Sequence, residues 1–146
     1  MKAIFLAAAF WGLAAFSNNF ANAECGNDVT PGTRAALHES ADALTKCSAF
    51  YHMLSVEAVR SQGPESLERF KRWSAAARES IIISAMMVNM AAVPDSDPTT
   101  RFNEYLQGLE ALLAVGGGDW ARGFSAQCKT ELAQGQKAMM NYRDGR

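Results

Sequence analysis

Residues 33–60 read TRAALHESADALTKCSAFYHMLSVEAVR, and this stretch decides the fold. Leu37, Ala41, Leu44, Cys47, Tyr51, Leu54 and Ala58 recur at i, i+3 and i+4 intervals, the spacing of one face of an α-helix. Ser61-Gln62-Gly63 breaks the pattern. A first helix is therefore expected over 33–60, with an irregular lead-in over 24–32.

The rest of the chain divides at similar punctuation. Pro64 opens a second helix, where a missing amide costs nothing because first-turn amides have no intrahelical acceptor. Glu65 and Glu68 near its start suit the helix dipole, and the pattern continues to about residue 93. Pro94-Asp95-Ser96-Asp97-Pro98 forms a stiff connection. Phe102, Tyr105, Leu106, Leu109, Leu112 and Leu113 stripe a third helix over 99–115, closed by Gly116-Gly117-Gly118. A fourth helix over 119–142 takes Asp119 as its N-cap. Its stripe is Trp120, Phe124, Cys128, Leu132, Gly135, Met139 and Tyr142. Strand-like alternation is absent. The expected fold is all-α: an antiparallel up-down-up-down four-helix bundle formed by residues 24–146 as one domain.

The first 23 residues have a different design. Lys2 precedes an apolar run from Ala3 to Phe16, and Ala21-Asn22-Ala23 supplies a small-x-small site. This is the pattern of a cleaved signal peptide, and the run is shorter than the roughly 20 apolar residues of a membrane span. Cleavage after Ala23 would deliver a periplasmic or secreted protein with no integral membrane span. Glu24 directly before Cys25 argues against a lipoprotein signal, which needs small residues there. The whole chain carries a net charge of −1, so it lacks the basic field that draws proteins to nucleic acid.

Export favours paired cysteines. Cys47 and Cys128 both lie on inward stripes. Each is about 21 Å from the same end of the bundle, counted from residue 33 upward and from residue 142 back. Matched heights on neighbouring helices predict a Cys47–Cys128 disulfide. Cys25 is left as an unpaired or intermolecular thiol.

Common chemistries find no complete residue set. Haem attachment by Cys-x-x-Cys-His, a His-Glu-x-x-His zinc site and a Gly-x-Ser-x-Gly nucleophile turn are all missing. A copper or haem carrier would have to draw on His52 and Met53 with Met86 and Met90. No cofactor is expected and no catalytic set is visible, so the chain is read as non-enzymatic. Ile81-Ile82-Ile83 with Met86 and Met87 makes helix two apolar over more of its circumference than one core needs. The leading expectation is an accessory protein that binds a protein partner or a second copy of itself. Ile82, Ile83, Met86, Met87 and Met90 are the candidate contact residues.

Overall fold

The computed structural model describes residues 30–91 and 98–144, and among them every regular element is helical. The expectations for the signal peptide, Cys25 and the 94–97 connection lie outside the described residues. Helix α1 spans Pro31–Arg60 and α2 spans Ser66–Ala91. A third helical run, α3, spans Pro98–Arg143 and is interrupted at Gly117.

The element starts differ from expectation for local reasons. Thr30 caps α1: its side-chain oxygen accepts from the Thr33 amide at 3.2 Å, and Pro31 then occupies the first turn. The helix thus begins before Thr33. Pro64 precedes α2 in a turn closed by the Ser66 amide donating to the Gly63 carbonyl at 2.9 Å. The third and fourth helices are not separated by a linker. Gly117 alone breaks the run, at φ 60° and ψ −156°, a conformation open essentially to glycine. Asp119 is consequently not a cap before the second limb. It lies inside it and pairs with Arg122 one turn on.

Side-chain contacts pair α1 with each of the other segments. Ser48 on α1 meets Ala77 on α2, and Thr45 meets Ser84. Asp42 meets Arg101 and Tyr105, while Val56 and Arg60 share a groove with Glu110 and Leu113. In the 118–143 limb, Trp120 and Phe124 meet Phe50, Cys128 meets Cys47, and Gly135 meets Leu44.

α1 is the element covered on most sides. Leu44, Ala49, Phe50 and Tyr51 are fully or almost fully buried. Its seam with α2 is built from small residues: Ala41, Thr45 and Ser48 face Ala77, Ser80 and Ser84, all buried. The hydroxyls are used across the seam. Ser48 Oγ donates to the Ala77 carbonyl at 2.7 Å. Thr45 Oγ1 and Ser84 Oγ lie 2.7 Å apart, and both reach the Ala41 carbonyl, at 2.9 Å and 2.7 Å. Two hydroxyl protons thus serve three close contacts.

The core has two parts. An aromatic part surrounds Phe50 and Tyr51, with Trp73, Phe102, Trp120 and Phe124. Tyr51 stacks on Trp73 at 5.6 Å between centroids, and Phe124 meets Phe50 edge-on at 5.0 Å. An aliphatic part joins Ala41, Leu44, Ile83 and Met87. The Cys47–Cys128 disulfide, with Cα atoms 5.3 Å apart, ties α1 to the 118–143 limb inside the aromatic part.

Three stability measurements check this packing. Gly135 is buried, and a Cβ there would stand 3.0 Å from both Ile83 Cγ2 and Leu44 Cδ1. Gly135→Leu, which brings a good helix former, should still lose about 1–3 kcal/mol in urea unfolding through overpacking. Gly123 has open space around its Cα, so Gly123→Ala should gain about 0.5–1 kcal/mol. The double substitution Cys47→Ala, Cys128→Ala opens a sequence separation of 81 residues. It should lower stability by roughly 4 kcal/mol.

Candidate binding site at the Gly117 end

The residues named from the sequence do not converge. Ile83 and Met87 are buried in the aliphatic core with Ala41 and Leu44, so they are not available as contact residues. α2 is apolar over a wide arc because α1 covers one side and the 118–143 limb, through Gly135, Leu132 and Met139, covers another. Ile82, Met86 and Met90 are half-buried. Their arc is narrower than the sequence suggested.

The metal or haem set is also dispersed. Met53 is buried in the aromatic core, and His52 packs its ring against Phe102 at 5.7 Å. Met87 marks the level of Met86 and Met90, beside Ala41 and Leu44. Ala41 and His52 are about 16 Å apart along α1 at 1.5 Å per residue. Among the described residues, no group of three His, Cys, Asp or Glu side chains is gathered to hold a metal ion.

What the structure does build is a groove at the end where α1 meets α2 and where Gly117 turns the chain. Its floor and walls are Met53, Leu54 and Val56 from α1 with Leu106 and Leu113 from the 98–116 limb. His52, Glu57, Arg60 and Glu110 edge it, and its volume is about 240 Å³. Arg60 and Glu57 pair at 3.7 Å on the rim. The same end carries most of the large apolar side chains left in solvent among the described residues. Val59 and Leu67 are each 58% exposed, Leu112 48% and Val115 91%, with Phe70 less so.

A second cluster lies lower on the same two helices. Arg101 Nη1 donates to Asp42 Oδ1 at 2.6 Å, and Tyr105 OH donates to Asp42 Oδ2 at 2.5 Å. Arg101 Nη2 also lies 3.3 Å from His38 Nε2. Lys46 sits 5.9 Å from the Tyr105 ring centroid. The sequence offered no sign of this cluster, because polar residues about 60 positions apart carry no periodic signal. It holds the start of the 98–116 limb, and hence one wall of the groove, to α1.

Burial acts on the ionisable groups here. The Tyr105 phenol is pushed up to about 12, by burial first and then by its bond to Asp42. Burial lowers the His52 imidazole below its usual 6.5. The native state therefore favours neutral His52. Its contribution to stability is present above about pH 6.5 and is lost as the pH falls.

Comparison of the chain with known protein families, with curated proteins and with solved structures gave no match. The site's own geometry is therefore the basis for a functional reading.

Alkaline titration checks the clip. Tyr105 titrates at 10.0 when unfolded and about 12 when folded, so the native state holds the phenol proton more tightly. Its stability contribution is complete below pH 10.0 and disappears as the pH rises toward 12. Tyr105→Phe should cost about 1 kcal/mol at neutral pH. It should also flatten the alkaline fall in unfolding free energy, leaving the share due to Tyr51, which burial also raises.

Proposed function

We propose that this chain is an exported, non-enzymatic binding protein that engages an apolar surface of a protein partner, or of a second copy of itself, at the Gly117 end. The observation that carries this reading is the exposure of Val59, Leu67, Leu112 and Val115 around a groove floored by Met53, Leu54 and Leu106. Exposed apolar side chains gathered at one end of a small protein mark a contact surface. Mixed charges at the groove edge, Glu57, Arg60 and Glu110, match the polar rim that such contacts carry.

The proposal includes the architecture and the address. The chain is a bundle whose four segments run up, down, up and down, an arrangement supported by the order of contacts along α1. It follows a signal peptide cleaved after Ala23 and acts in the periplasm or outside the cell. The disulfide supports an oxidising destination. No described helix is long and apolar enough to cross a membrane.

Native mass spectrometry of the full chain, expressed with its own leader and recovered from the periplasm, tests the reading. A mass consistent with cleavage after Ala23 and with bound partner or dimer is expected. The double substitution Leu112→Asp, Val115→Asp should abolish that association while leaving helicity and thermal midpoint nearly unchanged, since both side chains are already in solvent. Association that survives the substitutions would exclude this end of the bundle.

A further inference from the structure

The Asp42–Arg101–Tyr105 clip has a histidine at its edge. Arg101 Nη2 and His38 Nε2 lie 3.3 Å apart. A guanidinium offers donors only, so a hydrogen bond here uses the lone pair of Nε2, the tautomer with its ring proton on Nδ1. A proton added at Nε2 removes the acceptor and sets an imidazolium against a guanidinium. His38 and Asp42 also stand at i and i+4 on α1, on one helix face. The carboxylate that Arg101 uses at 2.6 Å is therefore within the reach of its neighbour on the same helix.

We propose that this cluster is a pH-sensitive latch between α1 and the 98–116 limb. With His38 neutral, Arg101 joins the two helices through His38 and Asp42 together. When His38 takes up a proton, the imidazolium becomes a donor and turns to Asp42 along its own helix. Arg101 loses one partner outright and shares the other. The bond between helices becomes a bond within one helix, and the start of the limb loosens.

The surrounding charges are few. α1 contributes Arg34 and Glu39 beside His38, and Lys46 further along, over the Tyr105 ring. The limb contributes Arg101, Glu104 and Tyr105. Between Ile81 and Ala91, the part of α2 that packs at this level, no residue titrates. The 118–143 limb brings Lys137 and Arg143 to this end of the bundle, the latter paired with Asp144 at 3.5 Å. The other histidine, His52, faces the same limb higher up, with its ring against Phe102 at 5.7 Å.

Amide hydrogen exchange of the full, disulfide-bonded chain tests the latch. Protection is read over residues 99–106 at about pH 8 and about pH 5, corrected for intrinsic exchange, a range that spans imidazole titration. Protection there should fall about tenfold at the lower pH, the worth of one charge-assisted hydrogen bond, while the α1–α2 seam holds. His38→Gln, which keeps an acceptor that does not titrate, should show a much smaller fall, with only the part due to His52 against Phe102 remaining. Unchanged protection in the wild type, or the same fall in His38→Gln, would overturn the latch. Nitrogen-15 spectra of the wild-type imidazole give a second reading that needs no variant. A proton on Nδ1 is expected at about pH 8, and a proton on Nε2 would exclude the mechanism.

Discussion

The close seam between α1 and α2 is the constraint around which the molecule is arranged. Ala41, Thr45 and Ser48 meet Ala77, Ser80 and Ser84, all small and buried. Hydroxyls then reach carbonyls across the gap at 2.7 Å. Such bonds are favourable only when every buried polar group is served. Ser80 Oγ is the exception in the seam, buried with no partner, and its neighbours must offset that cost. The bulky residues of α1 flank this small-residue strip. Phe50 goes to the 118–143 limb, and Tyr51 stacks on Trp73 of α2 beside the strip. α1 thus becomes a central post, and each other segment is placed by the type of residue it finds there.

The helices and the disulfide were legible in the sequence because both rest on one periodicity. Cys47 and Cys128 belong to stripes, and matched heights followed from counting turns. The Gly117 break was legible as a place but not as a geometry. Three consecutive glycines suggest a linker, whereas a single positive φ redirects the chain in one step. The free part of the α2 surface is narrower than its apolar arc for a physical reason. An apolar arc shows how much is covered, not by what, and here two other helices cover Ile83 and Met87. The groove and the Asp42 cluster were illegible, since both come from pairing α1 with a limb about 60 residues later. Arg101 and His38 look like ordinary surface positions, and Tyr105 like one more member of an apolar stripe, until that pairing exists.

The two features that concern function sit on the same pair of helices and follow the same logic. α1 and the 98–116 limb are joined low by Asp42 and together line the groove toward the Gly117 end. No disulfide joins this limb to α1, whereas the 118–143 limb is anchored through Cys128. The two limbs of α3 therefore differ in how firmly they are tied to α1. Polar side chains, ring contacts and the buried Phe102 and Leu109 secure the first, while a covalent bond secures the second.

The disulfide also changes what a break in the main chain would mean. All of α2, the Gly63 turn and the Gly117 bend lie between Cys47 and Cys128. A protease cutting once anywhere in that interval would open a ring without releasing a fragment. The two pieces would remain one covalent molecule, held together by the bridge and by a core in which both sulfurs are buried. A protein of this design can be nicked once and stay one covalent molecule, heavier by a single water, whose pieces part only after the bridge is reduced.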